Sequence, residues 1–443
     1  MNLGIISQTP LVKFDENVES DELTSKELEN YKHSYTVGGV SIMVNNLIER
    51  LQKERFANKV FWFSLNPPAP KRIIMRENFE LRHIKMPNRM LKSYTNFKEI
   101  LWNNIHGLKH GRFSREDYLG FLNYNWLATK EILEIEERID ILMIHDYQQL
   151  MVGSMLGPVK PSVLEWHIPF IPENFTFQIK KFLVNGLEGF DTVIVSTKRD
   201  LEGLIRAGYR GVAYQIYPNI DPEKWKRVPE EKAVEFAESY GIKDGDFMIL
   251  NVARMDPIKS QDTLIRAVAI LKKSIPNIKL MLVGNGSFTS STWGLGSSKG
   301  EMHRQFLQNL ARDLRVEDRV IFTGYLHNED LFRAYQRANL FVLPSRMEGF
   351  GLTVVEAWLY GKVTIVSRGA GVSELITDGL NGYKFNPGDH RELARLILKV
   401  YKERKDSKEI GLYARKMARQ CFISNVYRQI ERVLKETAEN FKH

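Results

Sequence analysis

Cysteine is almost missing from these 443 residues: Cys421 stands alone. A single thiol excludes an internal disulfide and any metal site built on cysteines. Such a chain suits a reducing compartment, so a cytoplasmic location is expected. Long apolar runs are missing as well. No stretch reaches the roughly eighteen uninterrupted apolar residues of a membrane-spanning helix, so no integral membrane segment is expected, and peripheral contact stays open. The opening MNLGIISQTP lacks a basic leader and reads as a first β-strand rather than a signal peptide. Acidic residues are in deficit. The 54 Asp and Glu against 63 Lys and Arg leave a net charge of +9, which suits anionic partners or serves solubility alone. No nucleic-acid motif accompanies that charge, so nucleic acid is not an expected partner.

What is present is a soluble, globular composition, 43% hydrophobic and 26% charged. The length exceeds one ordinary core and predicts two domains. Short apolar runs alternate with stretches of helical period. KVFWFSL (59–65), DILMIHD (140–146), SVLEWHI (162–168) and DTVIVST (191–197) read as buried strands. The rhythm pauses in AYQIYPNIDPEKW (213–225), then restarts with DFMILNVAR (246–254), IKLMLVGNG (278–286), RVIFTGYL (319–326), NLFVLPS (339–345) and KVTIVSR (362–368). Strands alternating with helices predict two doubly wound, Rossmann-like parallel sheets. The expected domains are 1–218 and 219–421, with a C-terminal helix over 422–443 packing back on the first. Two segments interrupt the rhythm and read as loops: the acid-rich 12–36 and the Ser/Gly-rich 285–300.

The chemistry gathers at strand ends. After NLFVLPS comes Glu348-Gly349-Phe350-Gly351, followed by a helix beginning Leu352-Thr353 and carrying Glu356. Bare backbone N–H groups at a helix start favour an anion, and glycine lets a phosphate approach. Carboxylates suit sugar hydroxyls. A second small turn, Gly369-Ala370-Gly371, lies just beyond. NVARMDPIKS places Arg254 and Lys259 at another strand end, where two cations can neutralise a diphosphate. Asn219 and Asp221 read as turn formers.

On these residues the chain resembles the retaining nucleotide-sugar glycosyltransferases of the GT-B fold, family four in particular. EGFGLTVVE carries its two glutamates eight positions apart, and RGAGVSELITDGLNGYKF (368–385) continues the likeness. The resemblance covers nearly all of 219–420. It implies two Rossmann-like domains facing a cleft, the second binding the nucleotide sugar and the first serving the acceptor. Arg254 and Lys259 match the family's diphosphate pair, and Tyr325 and Leu326 are candidates to contact the base. Gly38-Gly39 resembles the family's glycine loop, but Tyr35 replaces the lysine of starch and glycogen synthases. IHDYQQL (144–150) and EWHIPFIPENF (165–175) resemble motifs of trehalose-6-phosphate synthases, with Asp146, Tyr147, Trp166 and His167 as acceptor-side candidates. The second half is closer to trehalose glycosyltransferring synthases. Arg254, Lys259, His167, Asp146 and Glu348 form the implied catalytic set.

The expected activity is retaining transfer of a hexose, glucose first, from a nucleoside diphosphate sugar to a small sugar or sugar phosphate, giving a trehalose-type disaccharide. A lipid-linked or polymeric glycan is the alternative acceptor, and a nucleotide-sugar epimerase is a lesser one. The sequence has no DxD-type carboxylate pair placed to hold a metal diphosphate, so no metal or other cofactor is expected. Donor base, linkage and oligomeric state stay open.

Overall fold

The computed structural model describes residues 1–36, 38–108, 111–285, 295–403 and 407–442. The chain divides into two compact units, Met1–Asn219 with Ile423–His443, and Ile220–Phe422.

The first unit contains β1 (Asn2–Ser7), β2 (Val12–Phe14), β3 (Glu22–Thr24), β4 (His33–Tyr35), β5 (Lys59–Leu65), β6 (Arg72–Arg76), β7 (Phe79–Ile84), β8 (Ile141–His145), β9 (Ser162–Trp166), β10 (Thr192–Val195) and β11 (Val212–Gln215). Nine of these form one sheet in the order β11-β10-β9-β8-β1-β5-β7-β6-β3. Its centre is parallel, as strands buried on both faces require, and only β6 and β7 pair antiparallel. The 12–36 segment is not the loop its polarity suggests. β2 and β4 form an antiparallel ribbon, and β3 extends the sheet edge beside β6. Val12, Phe14, Val18, Leu23 and Leu28 are buried along it. These spaced apolar side chains anchor a segment whose acids face outward.

The helix Ile423–Asn440 belongs to this unit. Its apolar residues Ile423, Val426, Tyr427, Ile430, Val433 and Leu434 follow the helical period and are buried in the unit's core. Thr437 Oγ1 lies 2.8 Å from Thr192 Oγ1 on β10, and Tyr214 donates to Glu436 at 2.9 Å.

The second unit holds β12 (Phe247–Val252), β13 (Ile278–Val283), β14 (Val320–Gly324), β15 (Leu340–Leu343), β16 (Val363–Ser367) and β17 (Tyr383–Phe385). They form a parallel sheet in the order β14-β13-β12-β15-β16-β17. Strand order reverses between β12 and β15, and such a reversal leaves a crevice at the strands' carboxyl ends. The expected 285–300 loop is shorter than its composition implies, because a helix already begins at Leu295; residues 286–294 lie outside the described residues. Among the described residues, no helix is long and apolar enough to cross a membrane.

Candidate active site

The second unit assembles its groups at the carboxyl ends of β12 and β15. After β12, Asp256 accepts from the Ile258 amide at 3.1 Å and starts a single helical turn, Pro257–Lys259. That turn brings Lys259 onto the carboxylate of Glu348, a hydrogen-bonded ion pair. The Ser345 hydroxyl adds a donor 3.2 Å from the same oxygen. Burial would raise the Glu348 carboxyl, but Lys259, then Arg254 and Ser345, hold it below the ordinary range. Arg254 remains 39% exposed at its side chain, 4.0 Å from Asp256. Its carbonyl is tied to Gln261 at 2.7 Å. Arg254 is therefore the more available cation, and Lys259 is held in reserve by its acid.

The two glycine turns are zipped to each other. Glu348 N donates to Gly369 O at 3.1 Å, Gly371 N to Glu348 O at 3.3 Å, and Val372 N to Phe350 O at 2.9 Å. A Cβ on Gly369 would fall 2.1 Å from the Arg346 carbonyl. Gly351 sits at φ +106°, and a Cβ there would meet Leu343 at 2.7 Å. Backbone conformation and space both demand glycine at Gly351. The helix Leu352–Leu359 starts on Gly351 without a side-chain cap, so Leu352 and Thr353 open it with bare amide groups. Phe350 contributes backbone only, its ring being buried. One turn in, Glu356 accepts from the Tyr335 hydroxyl at 2.6 Å. Burial pushes its carboxyl up to about 7 against that hydrogen bond. Tyr325 follows β14 directly and packs edge-on to His327. Leu326 is buried.

In the first unit, Gly38 and Gly39 begin the helix Gly39–Lys53, again without a side-chain cap. A Cβ on Gly39 would meet nothing within 4 Å, so internal packing does not require glycine there.

His145 ends β8 with Asp146 just beyond it, and Glu165 lies in the last two residues of β9 with His167 just past its end. Asp146 N donates to Glu165 O at 2.8 Å, and His167 N approaches Asp146 Oδ1 at 3.5 Å. Asp146 adopts φ +72°, ψ 175°, a region almost reserved for glycine. Backbone strain of this kind clusters at ligand and catalytic sites, which makes Asp146 a candidate functional group. Burial pushes Asp146 up to about 7, Glu165 adds to the rise, and the amides of Tyr147 and His167 oppose it. Trp166 and Tyr147 stand apart from the other acceptor-side candidates. Their side chains are 1% and 3% exposed and pack in the core, Trp166 against Phe170 and Tyr147. They shape the site from beneath rather than line it. The strand's alternation explains this for Trp166, since its neighbours Glu165 and His167 take the other face.

Two groups escaped the motif reading. His145 Nδ1 lies 3.1 Å from His167 Nε2 and 3.2 Å from Glu165 Oε2. Ligating atoms of these three side chains lie within 4.8 Å of one another, the one such potential metal-holding group among the described residues. Tyr335, on the helix Asn328–Arg337, reaches Glu356 across 21 positions. The His-Asp doublet hinted at the first; nothing local signalled the second.

The family model described as "Glycosyl transferases group 1" matches residues 234–417. An uncharacterized glycosyltransferase of Methanocaldococcus jannaschii, MJ1607, is 32% identical over 308 residues, 65% of this chain and 74% of that protein. Trehalose synthase of Pyrococcus horikoshii is 24% identical over 434 residues, 97% of this chain and 94% of its own. Among the first relatives matched, alignments cover from 41% to 74% of the relative's length. The OtsA trehalose-6-phosphate synthase structure superposes with a TM-score of 0.79 at 17% identity, over 98% of this chain and 99% of its own. Anabaena HepE, solved with UDP and glucose, gives 0.71 at 19%, over 98% and 100%. These structures share the two-domain GT-B fold. With a zipped glycine turn, paired glutamates and a relative this similar over most of its length, the chain belongs to the group 1 glycosyltransferases.

Proposed function

We propose that the protein moves a hexose, glucose first, from a nucleoside diphosphate sugar to a small sugar or sugar phosphate, with retention at the anomeric carbon. The reading rests above all on one arrangement: Lys259 and Arg254 beside the Glu348 turn and the uncapped helix start at Leu352. Cations and bare amides suit a diphosphate leaving group, and preorganised charge of this kind is the main source of catalysis in such a step. Glu356 suits hydroxyls of the nucleotide's ribose, and Glu348 those of the hexose. The gathered cations supply the positive field, so the reaction as read needs no metal. No carboxylate acts as nucleophile. The acceptor oxygen attacks from the face the diphosphate leaves, and the departing phosphate takes its proton.

The first unit serves the acceptor. Asp146 accepts hydrogen bonds from its hydroxyls, and His167 positions the transferred hexose. The near full-length likeness to a trehalose synthase favours a trehalose-type product. The test is a mass-spectrometric screen of UDP-, ADP- and GDP-hexoses, each with glucose, glucose 6-phosphate or no acceptor. A disaccharide or its phosphate supports the reading. Epimerised donor without acceptor, or no transfer from any donor to either sugar, sinks it.

A further inference from the structure

β8 and β9 run parallel with His145 opposite Glu165. Register partners in a parallel pair project to one face, and His167, two residues past Glu165, returns to it. The two imidazole rings lie parallel within 10°, their centroids 5.3 Å apart. His145 and Glu165 are sealed from water, whereas His167 is half-buried.

His145 Nδ1 therefore faces two electron-rich atoms at once, Glu165 Oε2 at 3.2 Å and His167 Nε2 at 3.1 Å. A bare Nδ1 would set its lone pair against a buried carboxylate oxygen, at a cost that low dielectric magnifies. A proton on Nδ1 removes that clash and is drawn toward both neighbours. The result is the same whether His145 is neutral or charged, because Nδ1 is a donor in both forms. His167 Nε2 must then accept. In a neutral imidazole whose Nε2 is bare, the proton resides on Nδ1.

We propose that Glu165 and His145 act as positioning residues that lock His167 in its Nδ1–H tautomer, making it a hydrogen-bond donor to a sugar oxygen and not a base. Burial agrees with this: it lowers His167 to about 4, so its ring is neutral near pH 7 and carries one proton to place. The sugar contact rests on the proposed function; the tautomer does not.

The test is long-range proton–nitrogen NMR on the full chain carrying isotope-labelled histidine, without substrates. Signals of His167 are assigned by their loss in His167→Gln. The expected spectrum shows His167 protonated at Nδ1 and bare at Nε2. His145→Phe keeps a ring but loses the donor, and should leave His167 in mixed tautomers. In His145→Asn the amide nitrogen can replace Nδ1, and should restore the single form. With donor and acceptor, kcat of His145→Phe should fall about tenfold, the worth of one oriented hydrogen bond, with donor KM little changed and recovery in His145→Asn. A proton on Nε2 of His167, or a tautomer indifferent to His145→Phe, overturns the proposal. So does one equivalent of tightly bound divalent metal that disappears in His145→Phe. The expected spectra with unaltered kcat uphold the tautomer and refute the sugar contact instead.

Discussion

The Tyr335 hydroxyl donates to Glu356 Oε2 at 2.6 Å, holding a half-buried carboxylate from behind. Tyr335 itself stacks on Tyr360, their rings within 7° of parallel. Phenylalanine fits that stack, so Tyr335→Phe should cost about 1–3 kcal/mol of stability, the loss of one donor to a carboxylate. Released from its donor, Glu356 should bind the nucleotide less well. Donor KM is expected to rise several-fold, with acceptor KM unchanged in steady-state assays.

Arg254→Ala and Lys259→Ala should each lower kcat by about a hundredfold or more, the usual effect of deleting one preorganised charge contact. They should differ in stability. Arg254 is partly exposed, so its removal leaves melting nearly unaltered. Removing Lys259 strands the Glu348 carboxylate, at roughly 1–3 kcal/mol. Adding Glu348→Gln to Lys259→Ala should recover that stability and no activity. Equal melting temperatures for Lys259→Ala and the double variant would contradict the pairing.

The Asp146 backbone gives a separate check. Its φ of +72° strains any residue with a Cβ. Asp146→Gly should therefore melt at a higher temperature than Asp146→Ala, by an amount worth about 1 kcal/mol. Both should raise acceptor KM more than donor KM, whereas His167→Ala should lower kcat. An unchanged acceptor KM in Asp146→Ala for every small sugar that reacts would point to a lipid or polymer acceptor.

The same carboxyl makes stability depend on pH. Asp146 titrates near 7 when folded and near 4 when unfolded. Its folded pKa is raised, so the folded state binds the extra proton between those values. Its contribution is complete below about pH 4 and is lost as pH rises through about 7. Glu356 adds the same sign. Asp146→Asn should flatten part of this decline in denaturant titrations from pH 4 to 8. It should also remove any rise in acceptor kcat/KM across pH 7, because the ionised carboxylate accepts hydrogen bonds from the sugar hydroxyls better than the protonated one.

Activity should persist in excess chelator. A loss reversed by Mg²⁺ or Mn²⁺ would contradict a diphosphate site built on Arg254, Lys259 and backbone amides.

Local pattern determined much of this protein. Short apolar runs alternating with helical-period stretches located the central strands and helices, and the glycine turn after NLFVLPS marked the candidate donor-site groups, because propensity and turn chemistry act within a few residues. Tertiary structure decided what depends on pairing. The 12–36 segment looked like a loop until its five buried apolar residues found β6 and the core. Trp166 looked like a ligand contact until the alternation of β9 sent it inward. The Glu348–Lys259 pair joins residues 89 positions apart, and Glu165, His145 and His167 meet only because β8 and β9 lie side by side in one register. Register is set by long-range burial of whole strand faces, so no short stretch of sequence contains it.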